Sequence, residues 1–303
     1  MERGRLELAD VPGAFDLQST VESGQSYLWN REDGVAYDDG DGYGEDVWYW
    51  TTVETDGGPA VVRARQKSHA IEWESTVDAV PHLRRLLRLD DDLDAIRASA
   101  PNDDVVQQSY DEYWGMHLVR DPPFGSLVSF ICSAQMRVGR IHRMQRALRM
   151  EYGENVTFDG RTYSAYPTPA ALADATEAEL RDLGLGYRAP YVQESAAMIA
   201  NGDADPAAVR EFPYEDARDA LTEFVGVGDK VADCVCLFSL GFLEAVPLDT
   251  WIRKTIAQYY PDCDRGNYAE TSCAIRDALG GKYAGYTQTY LFHYLRNGNG
   301  TAG

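Results

Sequence analysis

Residues 221–254, LTEFVGVGDKVADCVCLFSLGFLEAVPLDTWIRK, decide how the rest of the chain is read. Leu221 and Phe224 close one helix, and Val225-Gly226-Val227-Gly228 turns the chain, because two glycines open backbone conformations closed to other residues. Asp229 is placed to cap a second helix that carries Lys230, Val231, Cys234, Val235 and Phe238 at helical spacing. Gly241 ends that helix, and Val246-Pro247-Leu248 makes a short extended approach to Asp249. A helix N-terminus after such a hairpin presents backbone N–H groups that suit a phosphate, which points to Gly226 and Gly228 as phosphate contacts. Lys230 and Asp249 can then converge beside the bound backbone. Taken alone, a Gly-x-Gly between helices is as readily an ordinary αα-hairpin with a surface lysine and a capping aspartate.

The whole string says more. It resembles the helix-hairpin-helix, glycine/proline-rich loop, aspartate superfamily of DNA glycosylases. Within it, GVGDKVADCVCLFSLG followed by AVPLD is most similar to the 8-oxoguanine DNA glycosylases. The resemblance implies a bifunctional glycosylase/AP lyase of base excision repair, acting on duplex DNA that contains 8-oxoguanine. Lys230 would be the nucleophile, and Asp249 would stabilise positive charge on the sugar. Two other readings stay open: a superfamily glycosylase for alkylated or deaminated bases, and a non-catalytic helix-hairpin-helix DNA-binding module. Mere binding requires neither Lys230 nor Asp249.

Further matches run outward from the hairpin. SLVSFICSAQMRVGRIHRM (126–144) resembles the family's second signature, which implies that Gln135 and Arg140 contact the base left opposite the lesion. Asparagine is commoner at position 135, and Met136 stands where a second asparagine is usual, so a relaxed opposite-base preference is expected. LGLGYRAPYV (183–192) resembles the wedge loop, with Tyr187 entering the base stack and Arg188 reaching toward the orphan base. By itself Tyr187 reads as a core aromatic. Gln288 and Phe292 lie four residues apart on one helical face. The resemblance makes Gln288 the reader of the base edge and Phe292 a stacking face, with Cys234 covering the opposite face. It also assigns Gly24, in SGQS, the backbone carbonyl that accepts from the N7–H of 8-oxoguanine, a group guanine lacks.

Composition sets the frame. A chain of 303 residues, 44% hydrophobic and 25% charged, is globular with ample core. No apolar run is long enough for a membrane span, and MERGRLELAD is no signal peptide, so an intracellular, cytoplasmic, DNA-associated monomer is expected. The five cysteines lack zinc-ribbon or CxxC spacing, and the four-cysteine cluster found in some relatives is missing. No metal, cofactor or iron–sulfur cluster is therefore expected, save a monovalent cation that the hairpin could hold. The net charge of −21 is awkward for a DNA-binding protein. A salt-adapted, halophilic surface would explain it, since the Debye length is only about 3 Å at 1 M salt. Acidic runs sit at 38–46 and 90–94, whereas residues 126–150 hold no acid and carry Arg137, Arg140, Arg143, Arg146 and Arg149.

Periodicity predicts an α+β architecture, with an N-terminal antiparallel sheet domain (1–77) packed on a helical region (78–303), which the resemblance makes the glycosylase region. Ser23–Trp29, Val47–Val53 and Ala60–Arg65 read as strands, and Thr55-Asp56-Gly57-Gly58 reads as a hairpin turn. Within the helical region, the helix-hairpin-helix spans about 215–241, the aspartate loop 242–250 and a pocket helix about 284–296.

Overall fold

The β-branched and aromatic residues of the N-terminal third pair into an antiparallel sheet. In the computed structural model, which describes residues 1–37 and 46–298, its strands are β1 (Glu2–Glu7), β2 (Asn30–Arg31), β3 (Tyr49–Thr55), β4 (Gly58–Lys67) and β5 (Ala70–Ser75). They lie in the order β1-β5-β4-β3-β2, with a short helix α1 (Leu17–Glu22) between β1 and β2. The β3–β4 turn falls where the glycines predict it, and Gly58 takes the left-handed conformation at φ +97°.

Alternation along β4 decides what covers each face. Val62 and Ala64 face Leu83, Leu86 and Leu87 in and after α2 (Val80–Leu86). Val61 faces the other way, onto Phe158 and Tyr163. Those two residues belong to a hairpin that periodicity did not foresee, β6 (Asn155–Phe158) with β7 (Arg161–Ser164). Its four-residue strands lie inside the otherwise helical region, too short to carry a clear period. The sheet's own core continues to Leu89, past the expected boundary at 77, because α2 is the layer that buries it.

The helical region begins with α3 (Leu93–Ser99), α4 (Asp104–Glu112), α5 (Pro123–Ile131) and α6 (Val138–Tyr152). After the β6–β7 hairpin come α7 (Pro169–Asp174), α8 (Glu177–Leu180), α9 (Ala189–Ala200) and α10 (Tyr214–Leu221). The chain closes with α11 (Asp229–Val235), α12 (Thr250–Tyr259), α13 (Tyr268–Ala278) and α14 (Ala284–Arg296). A wider π-type turn extends α11 to Leu240, and Gly241 stops it at φ +95°. No helix among the described residues is long and apolar enough to cross a membrane.

Two expectations need correction. Ser23–Trp29 is not a strand. Gly24 has φ +97°, and the buried Gln25 side chain does the work of a ladder, donating to the carbonyls of Thr20 and His117 and accepting from Val119 N–H at 2.9 Å. The loop's own carbonyls are met by side chains from elsewhere, Ser23 by Arg296, Ser26 by Tyr37, and Leu28 by Thr51 and Arg149, as burial of backbone polar groups requires. Asp229 does not cap α11 either. Gly228 occupies the cap position and Asp229 is the first helical residue, where its charge favours the helix dipole.

Of the acidic runs, 38–46 lies outside the described residues except for Asp46. The run at 90–94 is spent locally: Asp90 pairs with Arg84, Asp91 with Arg88, and Asp92 caps α3.

Candidate active site

The hairpin between α10 and α11 is made by two glycines with different duties. Gly226 sits at φ +81°, and a Cβ there would lie 2.7 Å from the ring of Tyr191 on α9. Gly228 has an ordinary φ and open space around it. Gly226→Ala should therefore cost about 2–5 kcal/mol, from left-handed strain plus overpacking. Gly228→Ala should cost under about 1 kcal/mol, since glycine is only a modest cap. Urea unfolding of the two variants checks the difference; equal costs would mean that Tyr191 moves aside and the backbone at 226 leaves the left-handed region.

The first turn of α11 delivers Lys230 into a cavity of about 1100 Å³ between the Ser23–Tyr27 loop, the end of α5, α11, the 247–251 loop and α14. The cavity also holds Asp249, Cys234, Gln288, Phe292, Gly24 and Gln135. Lys230 Nζ donates to Ser133 Oγ at 3.0 Å and lies 5.6 Å from the centroid of the Phe130 ring. Asp249 caps α12, accepting from Ile252 N–H at 2.8 Å. Burial raises its carboxyl above the ordinary range, opposed by the Ile252 N–H and the charge of Lys230.

Packing ties these two residues together. Asp233, one turn along α11 from Lys230, accepts from Tyr214 and Tyr268 at 2.6 Å each, and burial pushes its carboxyl up to about 7. The Tyr268 hydroxyl in turn accepts from Leu248 N–H at 3.2 Å, so the loop before Asp249 is fastened to the helix of Lys230. None of these tyrosines stood out in the sequence, where a lone Tyr on a helix reads as core.

The inner part of the cavity suits a flat base. Gln288 is 4% exposed, and its Oε1 meets no donor among the described residues. A buried acceptor of this kind costs stability unless water or a ligand donates to it. Phe292 offers a half-buried ring, and burial pushes the Cys234 thiol up to about 12, so it stays a neutral wall.

The remaining predicted residues lie outside this cavity. Tyr187, 53% exposed, stands on the turn between Gly186 and α9, its ring edge-on to Tyr191. Arg188 is buried rather than extended; it donates to the Ala134 carbonyl and lies 4.2 Å from the Tyr187 ring centroid. It thus links the Tyr187 turn to the loop of Gln135. Gln135 is exposed at φ +55°, a conformation asparagine tolerates better than glutamine, and Arg140 is exposed on α6. The arginine row divides. Arg137, Arg140, Arg143 and Arg146 are exposed, but Arg149 is 2% exposed and donates to Thr52 Oγ1 and to the carbonyls of Leu28 and Ser164. Arg149 joins α6 to the sheet and is withdrawn from any DNA-facing surface. Among the described residues no group of three or more His, Cys, Asp or Glu could hold a metal ion.

Residues 128–276, which include the hairpin and the Asp249 loop, match the model of the HhH-GPD superfamily base excision DNA repair protein. The probable N-glycosylase/DNA lyase of Methanothermobacter thermautotrophicus is 28% identical, over 94% of this chain and 94% of its own length. Among solved structures, MBOgg1 in complex with a low-affinity DNA ligand aligns with a TM-score of 0.81 at 26% identity, covering 98% of this chain and 99% of that one. The Clostridium acetobutylicum 8-oxoguanine glycosylase/lyase, in complex with duplex DNA containing cytosine opposite 8-oxoguanine, aligns at 0.80 and 25% identity over 95% and 93%.

Proposed function

We infer that this chain, which carries an HhH-GPD domain, is a bifunctional DNA glycosylase/AP lyase that excises 8-oxoguanine from duplex DNA. The observation that carries the reading is the pairing of Lys230 and Asp249 in one cavity that also offers Gln288, Phe292 and Cys234 to a flipped base. Lys230 Nζ attacks C1′, the C1′–N9 bond breaks, and the base leaves with the bonding electrons and takes up a proton. Asp249 lies where positive charge grows on the sugar. The sugar then opens to a Schiff base on Lys230. Loss of a C2′ proton expels the 3′ phosphate by β-elimination. The reaction is assigned to side chains of this chain and to no resident metal, inside the cell.

Excision from 8-oxoguanine and from alkylpurine duplexes, each with borohydride trapping, tests the reading. The expected result is excision of 8-oxoguanine with a trapped adduct; excision confined to alkylpurines, or no adduct, overturns it.

Gln135, with its longer reach and left-handed backbone, should make a poorer contact to the opposite base than asparagine would. Lesions opposite C, T, G and A should accordingly be excised at rates within roughly a hundredfold, about 2.7 kcal/mol. A good bidentate contact contributes about 1–3 kcal/mol of discrimination. Single-turnover rates on four duplexes measure this, and a larger preference for C would mean that Gln135 restores the contact.

The acidic surface carries a separate expectation, salt adaptation. Thermal unfolding from about 0.1 M to molar salt should show a rising melting temperature as like charges are screened. A flat or falling trend would assign the charge another cause.

A further inference from the structure

Arg296 ends α14 one turn beyond Phe292 and lines the same cavity. Its Nη1 donates to the Ser23 carbonyl at 2.8 Å, and its guanidinium carbon lies 5.3 Å from the Phe292 ring centroid. Nη2 lies 3.1 Å from His293 Nδ1. A guanidinium cannot accept a hydrogen bond, so His293 Nδ1 must be the acceptor and the ring neutral. Burial, with the charge of Arg296, pushes His293 down to about 3, so this acceptor persists at any working pH. Arg296 is thereby held from two sides.

The carbonyl it grips belongs to the peptide between Ser23 and Gly24. Fixing that peptide, with Gly24 at φ +97°, leaves one torsion to aim the Gly24 carbonyl. Gln25 anchors the next residue through its three hydrogen bonds. The packing at Gly24 leaves no slack: an added Cβ would lie 2.9 Å from Arg296 Nη1, 3.2 Å from Val138 Cγ1 and 3.4 Å from Phe292 Cε1. The loop, the guanidinium and the stacking ring therefore form one packed unit, although Arg296 and Ser23 lie 273 residues apart.

We propose that Arg296 is the positioning residue that aims the Gly24 carbonyl, and so sets the discrimination of 8-oxoguanine from guanine. The proposal rests on the function inferred above. The two bases differ at N7, a donor in the lesion and a lone pair in guanine. A carbonyl distinguishes them only while it stays within hydrogen-bond distance and angle, because the interaction weakens steeply outside them. Loosening the peptide should cost base reading and spare steps that need no base.

The test compares wild type with Arg296→Gln and Arg296→Lys on two substrates. One is an 8-oxoguanine duplex, read as single-turnover excision and as binding relative to a guanine duplex. The other is a preformed abasic site, read as nicking and borohydride trapping through Lys230. Arg296→Gln should lose about tenfold to a hundredfold in excision and in binding preference, while abasic-site nicking stays within about threefold. Arg296→Lys, which keeps the charge that acts on Asp249, should recover only part of the loss. Parallel loss on both substrates would make Arg296 a structural or electrostatic residue and overturn the proposal. Unchanged discrimination would overturn it as well. A wild-type enzyme that nicks abasic sites but leaves 8-oxoguanine untouched would instead refute the functional reading.

Discussion

Lys230→Gln is expected to abolish the borohydride-trapped adduct and strand nicking while binding to lesion duplex survives. Excision should fall by roughly 10³-fold or more, the scale of removing a nucleophile from a working constellation. Glutamine keeps much of the side chain's length and can still hydrogen-bond Ser133 Oγ, now 3.0 Å from Nζ, so the fold has little reason to change. It cannot form an imine. The chain has only four lysines, Lys67, Lys230, Lys254 and Lys282, and among the described residues Lys230 alone of them lines the cavity. An adduct that persisted in the variant would move the nucleophile elsewhere, with Lys254, beside the cavity residue Trp251, the first to examine.

Asp249→Asn should lose about 10²–10³-fold in base excision, the size of a single preorganised electrostatic contact to a charge that develops in the transition state. Stability should move the other way. Burial raises the Asp249 carboxyl above its ordinary value, so the folded state holds this proton more tightly than the unfolded chain does. The corresponding stabilisation is full below the unfolded pKa and is lost as pH rises through the folded one. At neutral pH the wild type therefore bears the cost of an ionised, buried carboxylate. Asparagine avoids that cost and still caps α12. The variant should unfold at the same temperature or higher. The acidic limb of the wild-type excision profile should likewise lie above that of an ordinary aspartate, since protonation there removes the charge that catalysis uses. Thermal unfolding and a pH–rate profile check both expectations. A loss of more than about 1 kcal/mol in the asparagine variant would mean that the attraction of Lys230 and of the α12 N–H groups outweighs the burial cost of the ionised carboxylate.

Much of this protein could be read from short stretches of chain. The hairpin at 225–228, the stop at Gly241 and the β3–β4 turn all fall where glycine placement and apolar spacing put them. These features depend on backbone freedom and periodicity, which residues within a turn or two of each other encode. The misses share a cause. Ser23–Trp29 alternates like a strand, yet Gln25 and a left-handed Gly24 make it a buried loop tied to residues 117–119. Two four-residue strands after α6 were too short to announce themselves.

The sequence by itself determined the local frame and the identities at the candidate site: a lysine opening a helix, an aspartate after a proline, a glutamine and a phenylalanine one turn apart. Only the tertiary structure decided which of the cationic side chains are free to meet a ligand. Arg149 and Arg188 stand in runs that resemble DNA-contacting surfaces, but each is buried and donates to a carbonyl brought from elsewhere in the chain. Arg296, which no motif singled out, is carried to the loop of Gly24 from the other end of the molecule. A guanidinium looks the same in any sequence. Its role follows from desolvation and from the acceptors it finds, and both are set by packing between segments that share no local signal.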